Sequence, residues 1–531
     1  MSKIKVLITT SGIGARLGEL TNHTNKALIT VGGKPVLSYI LDAYPKDTQF
    51  VITLGYKGDL VRQFVKLVYP DLKVEFVEID NYDGPGSSLL YSMYKAKGHL
   101  DCPFIFHASD TIITDAPIPM IDSYNWNGVY DLGTEHSAQY RLVQVLNDNE
   151  MGVIYDKEAG TGKANHAHIG LCGISDWYDF WDIAGSLLAR EDTSLSDVHV
   201  INIMRQQGKR FALYHYPSWK DVGNIDALET ANKALTTEET VTLPKTDQIA
   251  YIFDDKIVKF FSDEDTVSKR LKRADYLGEA VPKITGYTHN FYTYEKAIGP
   301  LLRGIYPSEI HAFLLWCQEN LWVREEAPPE YTKLCRSFYQ EKTMKRLERF
   351  YAETGIVDSE ELLNGEKVPK LEYLLTSRVP WLSINQGIPT KKMHGDLHFS
   401  NVIKTKNGYK LLDWREDFGG STEIGDVYYD LAKLNHGMLV SHDLVNENRF
   451  MIKRGNFDVE VDIQRHHRLV ECQDVFYSFL SKFGYDPQKV DILTALIYLN
   501  ICPLHHYPYN IFLYYFGKKM LCDILKKVRY W

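Results

Sequence analysis

Met393–Arg415 reads M-H-G-D-L-H-F-S-N-V-I-K-T-K-N-G-Y-K-L-L-D-W-R. Asp396 stands five residues before Asn401, and Asp413 closes the mostly apolar run Tyr409–Leu412. Lys406-Asn407-Gly408 is a turn signal between two short strand-like pieces. Phosphoryl transfer asks for this kit: a carboxylate to orient a hydroxyl and take its proton, and an amide with a second carboxylate to hold Mg²⁺ on nucleotide phosphates. Without that chemistry the stretch is a polar loop between two strands.

The pattern H-G-D-x-x-x-x-N, followed by a strand ending in D-W, resembles the aminoglycoside phosphotransferase/choline kinase family. Gly425–Ala432, G-D-V-Y-Y-D-L-A, is similar to that family's next segment. The resemblance implies a bilobal protein-kinase-like (α+β) domain with Asp396 as catalytic base and Asn401 and Asp413 as metal ligands. ATP and a hydroxylated small molecule are then its substrates.

The chain has 531 residues, enough for two to four domains, and 44% hydrophobic against 24% charged residues supports real cores. Its net charge of −9 argues against a general nucleic-acid binder. Met1–Lys5 runs directly into the strand-like Val6–Thr10, with no apolar segment of signal-peptide length. Ile497–Phe516 is the most apolar late stretch, but Pro503, His505, His506 and Pro508 break it, so no membrane span is expected. Seven scattered cysteines without a C-x-x-C pair fit reduced thiols, and a cytoplasmic location.

In the first half, the β-branched run Ile4–Thr10 feeds Ser11-Gly12-Ile13-Gly14-Ala15-Arg16-Leu17. A strand leading into a glycine loop is how α/β folds bring backbone N–H groups against phosphates. Leu17 stands where a dinucleotide fingerprint needs its third glycine, so that reading falls. Arg16 and Lys26, ten residues apart, flank the loop and suit a triphosphate. Strands at Gln49–Leu54 and Leu72–Ile79 around a helix at Gly58–Tyr69 predict a mostly parallel sheet.

The run from Gly12 to Pro35, with Arg16-Leu17, Lys26 and Gly33-Lys34-Pro35, resembles the sugar nucleotidylyltransferase superfamily, including phosphocholine cytidylyltransferase-like members. Ser11 replaces the usual Ala and Asn25 the usual Pro. The resemblance implies a Rossmann-like nucleotidyltransferase domain in which Gly12 and Gly14 bind nucleotide, Arg16 clamps the leaving β,γ-phosphates and Lys26 faces the α-phosphate. Gly86, Ser87 and Ser88 then meet the base; a plain helix N-cap by either serine is the competing reading.

Pro103–His107 is a short strand that delivers Asp110 to the mouth where α/β ligands bind. Asp221-Val222-Gly223 precedes an Ala-rich helix at Ile225–Leu235, as D-V-G does in the superfamily, so Asp110 and Asp221 are implied as a Mg²⁺ pair. Lys163 is read as a solvated lysine or a contact to substrate phosphate. The acceptor phosphate is already a nucleophile, so this chemistry needs charge neutralisation and no general base.

Residues 237–246 read as a linker between a nucleotidylyltransferase domain, 1–236, and a kinase-like domain, 247–531. A hairpin at Ile249–Phe261 carries Lys259 where kinase-like folds hold a nucleotide-phosphate lysine; an ordinary exposed lysine is the other reading. Two features depart from the pattern. Asp247–Asp255 contains no glycine, and the helix predicted over Asp263–Glu279 carries Arg270 and Arg273 where a glutamate partner is usual. Helices are expected at Glu309–Val323, Tyr331–Thr354, Lys370–Thr376, His466–Phe483, Gln488–Leu499 and Tyr507–Val528.

Together the halves predict a bifunctional enzyme. One half makes a phosphomonoester with ATP; the other joins a phosphomonoester to an NTP, CTP favoured, giving pyrophosphate and an NDP-activated sugar, polyol or similar precursor for surface polysaccharide. Two alternatives stand: choline or ethanolamine kinase fused to the matching cytidylyltransferase, and an active transferase with a catalytically weak kinase-like binding module. A homo-oligomer is left open.

Overall fold

The computed structural model describes residues 4–133, 137–147, 149–157, 159–160, 162–189, 192–237, 246–455 and 458–527. Most of the expected linker, 238–245, lies outside them. By internal contacts the chain divides into two units, Met1–Glu264 with Thr285–Tyr294, and Asp265–Ile284 with Glu295–Trp531.

The first unit is built on a nine-stranded sheet. From one edge to the other it runs Lys73–Glu78, Gln49–Leu54, Lys5–Thr9, Phe104–Ala108, His166–Ile174, Asn125–Asp131, Phe211–His215, Glu150–Tyr155 and Leu142–Asn147. The first four strands are parallel, and Lys5–Thr9 buries the apolar run Val6, Leu7 and Ile8 followed by Thr9, as strands covered on both faces do. The sheet is mixed, not mostly parallel as expected. His166–Ile174 pairs antiparallel with both neighbours, and Leu142–Asn147 and Glu150–Tyr155 form a hairpin. Tight connections such as that hairpin's give antiparallel pairs, whereas parallel neighbours need a crossover. Thr9 is opposite Ala108 in register, so the loops after these two strands leave the sheet side by side.

The hairpin Gln248–Ile252 and Lys256–Phe261 belongs to this same unit, although the sequence places a domain start at 247. The reason is burial. Tyr251, Val258, Phe260 and Phe291 join one core with Val61, Phe64, Val65 and Val68 of the helix Gly58–Val68. The Tyr251 hydroxyl donates to the Leu28 carbonyl at 2.8 Å, and Lys256 Nζ donates to the Val68 carbonyl at 3.0 Å. Gln63 and Asn290 exchange hydrogen bonds of 3.0 and 3.1 Å.

The second unit is mainly helical, with helices at Pro307–Asn320, Lys342–Thr354, Val427–Leu439, His467–Phe483, Pro487–Ile501 and Tyr509–Lys527. The helix expected over Tyr331–Thr354 is interrupted by a π-helical turn, Ser337–Glu341, and the one expected over Lys370–Thr376 widens into another at Leu374–Arg378. A four-stranded sheet was not anticipated: Glu366–Val368, Glu361–Leu363, Asp458–Ile463, Phe450–Arg454. Asn364 and Gly365 turn its first hairpin, both with positive φ, 52° and 77°.

Candidate active sites

In the first unit, Gly14 takes a left-handed φ of 74° and packs on Lys26; a Cβ there would sit 3.1 Å from Lys26 Cβ. That close approach is what the glycine supplies, and Ala15–Thr21 then winds as a 3₁₀ turn presenting Arg16. The two departures from the superfamily pattern are internally satisfied. Asn25 is buried, donates to the Thr10 and Tyr56 carbonyls at 2.9 and 2.6 Å, and caps the turn carrying Lys26 by accepting from Ala27 N at 2.9 Å. Ser11 Oγ donates to Ser92 Oγ at 2.8 Å.

Asp110 and Asp221, far apart in sequence, meet through a short antiparallel pairing in which Asp221 lies opposite Thr111. Val222 N donates to the Asp110 carbonyl at 3.0 Å, and Gly223 N to Asp221 Oδ1 at 2.9 Å. A Cβ on Gly223 would lie 3.1 Å from Arg16 Nη2, 3.1 Å from Asp221 Oδ1 and 3.2 Å from Asp110 Oδ2. Three charged tips thus surround one point that only a glycine leaves vacant. Arg16 and Asp110 are 4.0 Å apart. Burial and the like charge of Asp110 raise the Asp221 carboxyl above its ordinary value, with the Gly223 amide, Arg16 and Lys157 opposing. The cleft, about 230 Å³, is lined by Gly14, Arg16, Lys26, Ser109, Asp110 and Gly223 among others.

Sequence reasoning missed two parts of this site. Lys157 lies in its field: burial, Arg16 and Arg141 pull its ammonium down while Asp221 and Asp110 hold it up. Lys163, read as a solvated lysine or a contact to substrate phosphate, stands 5.3 Å over the Tyr155 ring. Behind the aspartates, buried His107 donates from Nε2 to the Thr111 carbonyl at 3.0 Å and meets the Tyr44 hydroxyl through Nδ1 at 2.9 Å. Burial lowers His107 to about 4, so the neutral ring takes the Nε2–H tautomer and Tyr44 donates to it. Of the other expected residues, Gly12, Gly86, Ser87 and Ser88 are not among those lining the cleft. Ser88 caps the helix Leu89–Lys95 by accepting from Tyr91 N at 3.0 Å, and Ser87 Oγ donates to the Gly84 carbonyl at 2.6 Å.

In the second unit, Gly395 has φ 82°, and a Cβ there would fall 2.6 Å from Arg415 Cβ. The loop is pinned from behind by buried Asp430, which accepts from His394 N at 2.9 Å and Gly395 N at 2.7 Å. Burial drives Asp430 up to about 7 against those donors. Asp396 meets Lys433 Nζ at 2.7 Å and His398 Nε2 at 3.8 Å. Burial alone would raise Asp396; Lys433, His398 and His394 outweigh it and hold the carboxylate ionised. Asn401 donates from Nδ2 to the Asp396 carbonyl at 3.0 Å, which leaves its Oδ1 as an acceptor, and its own carbonyl takes Leu412 N at 2.8 Å beside Asp413. Asp413 adopts a left-handed φ of 55°. The structure thus brings Asp396, Asn401 and Asp413 together. Lys259 sits on Lys256–Phe261 in the first unit.

Lys433 was missed although it directly follows the quoted motif; it is buried, as lysines seldom are without a partner. The troublesome arginines have structural work: Arg273 donates to the carbonyls of Lys391 at 2.8 Å and of Met393, and Arg270 meets Glu416 at 3.4 Å.

No family model matches the chain. A bifunctional protein GlmU from Methanococcus aeolicus is 24% identical over 229 residues, 43% of this chain and 53% of that protein. A probable glucose-1-phosphate cytidylyltransferase from Bacillus subtilis is 36% identical over 63 residues, 12% of this chain and 25% of that protein. The first half of this chain matches sugar nucleotidylyltransferases. The chain spans about half the length of the archaeal relative and a quarter of the bacterial one. Among solved structures, a CTP:phosphocholine cytidylyltransferase from Streptococcus pneumoniae aligns with TM-score 0.38 at 17% identity, over 44% of this chain and 100% of that one. A UDP-glucose pyrophosphorylase aligns with TM-score 0.37 at 14% identity, over 44% of this chain and 98% of that one. The kinase-like reading of the second unit rests on its own residues.

Proposed function

We propose that the chain is a bifunctional enzyme: the first unit transfers a nucleotidyl group to the phosphate of a small molecule, and the second phosphorylates a small hydroxylated molecule with ATP. The observation that carries the first activity is the gathering of Arg16, Asp110 and Asp221 around Gly223, beside Lys26 and the glycine loop. An acceptor phosphate oxygen forms a bond to the α-phosphorus, the α–β anhydride bond breaks, and pyrophosphate leaves with the electron pair. Arg16 and Lys26 offset the charge of the approaching and departing phosphates. The similarity of the first half to bacterial glucose-1-phosphate cytidylyltransferases supports CTP as donor and a sugar phosphate as acceptor.

Two carboxylates whose mutual repulsion the Gly223 amide, Arg16 and Lys157 only partly offset, set around a vacant point, suit Mg²⁺, which prefers a few protein oxygens completed by phosphates and water. Asp110 and Asp221 would hold it in the first unit, and Asn401 and Asp413 in the second; bound there, it supplies charge neutralisation on the phosphates.

In the second unit, Asp396 orients the acceptor hydroxyl and takes its proton as the oxygen bonds to the γ-phosphorus and ADP departs. A carboxylate held ionised by Lys433 suits a loose transition state, in which orientation counts for more than basicity. The phosphomonoester made there is the class of compound the first unit consumes, consistent with a place in surface-polysaccharide precursor synthesis. A second reading, a kinase-like unit that binds without turning over, is favoured by the use of Arg273 as a backbone clamp where a helix glutamate is usual. The test is pyrophosphate release from each NTP with a panel of phosphates, and ADP release with a panel of hydroxyl acceptors. Asp110→Ala abolishes the first and Asp396→Ala the second. Pyrophosphate release indifferent to Asp110→Ala sinks the transferase reading; ADP formation no higher than that of Asp396→Ala with every acceptor sinks the kinase reading.

A further inference from the structure

Around the loop that carries Asp396 the second unit gathers several cations, and one of them, Lys342, has no acid of its own. The π-helical turn Ser337–Glu341 places Phe338 in a cluster with Phe418, 4.4 Å away, and Tyr429, 4.7 Å away and perpendicular. Such turns are frequent at functional sites. Lys342 Nζ stands 4.3 Å from the Phe338 ring centre and the Arg415 guanidinium 5.2 Å from the same centre. Arg346 follows Lys342 by one helical turn. Arg415 runs along the catalytic loop, its N–H donating to the His394 carbonyl at 2.9 Å and its Cβ lying against Gly395. On the helix Val427–Leu439, Tyr429 and Lys433 stand one turn apart, and Lys433 holds Asp396.

The acids nearby are already shared. Glu416 lies 3.4 Å from Arg270 and 3.9 Å from Arg415, and Asp417 lies 3.5 Å from Lys269. Among the described residues Lys342 makes no hydrogen bond or ion pair, and Arg415 Nε is buried without a hydrogen-bond partner. Burial, Arg415 and Arg346 pull Lys342 down to about 6 against Glu416 and Asp417, whereas Tyr429, Glu416, Asp396 and Asp417 outweigh burial and hold Arg415 up, so it is Lys342 that is short of an anion.

We propose that the acceptor of the second unit carries an anionic group, a phosphate or carboxylate, which Lys342 and Arg415 bind while its hydroxyl faces Asp396. This rests on the kinase reading of that unit and narrows it. A quaternary ammonium substrate would need the aromatic faces that recognise cations; here the Phe338 ring is already taken by two side-chain cations. At this place the unit thus suits an acidic hydroxyl compound rather than a quaternary ammonium.

The test uses the full chain with ATP and Mg²⁺ and matched acceptors: glycerol, glycerol 3-phosphate, glycerate and choline. The anionic pair is expected to give the higher kcat/KM. Lys342→Gln raises KM for them at least tenfold with kcat within twofold, and Lys342→Arg restores it. Choline or glycerol used as well as both anionic compounds, or an unchanged KM in Lys342→Gln, overturns the proposal. Calorimetric titration with glycerol 3-phosphate, wild type against Lys342→Gln, separates anion binding from phosphoryl transfer. Weaker binding in the variant without ADP from any acceptor upholds the anion site and sinks the kinase reading; equal binding in both proteins overturns the anion site.

Discussion

Gly223→Ala isolates the geometry of the first site. The added methyl carbon would stand 3.1 Å from Arg16 Nη2 and Asp221 Oδ1 and 3.2 Å from Asp110 Oδ2, each closer than ordinary contact. All three charged groups must move by a few tenths of an ångström, and the vacant point they surround is filled. A displacement near 1 Å in a catalytic constellation costs up to about 100-fold. Smaller shifts at three groups together give an expected loss of roughly 10- to 100-fold in kcat/KM, or about 1.4–2.7 kcal/mol of transition-state stabilisation. The fold should not suffer. Gly223 has no left-handed φ, so alanine is compatible with its backbone and stiffens the unfolded chain, for a gain of about 0.4–1 kcal/mol. The assay pairs pyrophosphate release under saturating NTP with urea unfolding. Any ADP formation by the second unit serves as an internal control and stays unchanged. Wild-type kcat/KM in a stably folded variant refutes the view that Arg16, Asp110 and Asp221 act around that point. A loss of activity matched by a loss of stability above about 2 kcal/mol would assign the effect to folding instead.

Other consequences follow from buried groups. His107, lowered to about 4 by burial against an ordinary value near 6.5, binds fewer protons folded than unfolded between those pH values. Its stability contribution is therefore present above pH ~6.5 and is lost as pH falls through ~4, a difference of about 3 kcal/mol that His107→Gln removes from the pH–stability curve. Gly395→Ala forces a left-handed alanine onto Arg415 and is expected to cost about 2–4 kcal/mol, with ADP formation falling more than stability as Asp396 shifts; calorimetry and ADP release check it. Tyr251→Phe leaves the buried Leu28 carbonyl without its hydroxyl donor, and urea unfolding should show a loss of about 1–2 kcal/mol.

The motif stretches were readable because their chemistry is local. The glycine loop, Lys26 and the D-V-G turn each announce a backbone or charge requirement within a few residues, and the structure gathers Arg16, Lys26 and Asp110 at one cleft, with Asp221 against Gly223 at its wall. What stayed hidden depends on distant partners. Lys433 gives no sign of its burial until Asp396 lies beside it. Lys157 lies in the turn just past the strand Glu150–Tyr155, in the antiparallel half of the sheet that the expectation of parallel strands misdescribed. The π turn at Ser337–Glu341 looks helical in sequence, because one extra residue per turn changes which side chains face inward without altering composition. Asn364-Gly365 is a strong hairpin signal set among helical patterns, and its strand completes a sheet with residues almost a hundred positions later. The hairpin after residue 247 was recognised as a hairpin, but that its apolar face is covered by Phe64 and Val68 is a fact of tertiary packing.

The most direct test of a two-step account is the mass of what the full chain makes from ATP, CTP and a hydroxy acid such as glycerate, which carries no phosphate of its own. The wild type should yield the CDP-linked product. Asp110→Ala should accumulate the phosphorylated acceptor, and Asp396→Ala should form the CDP-linked product only when that phosphorylated compound is supplied. Identical products from the wild type and both variants would contradict the account.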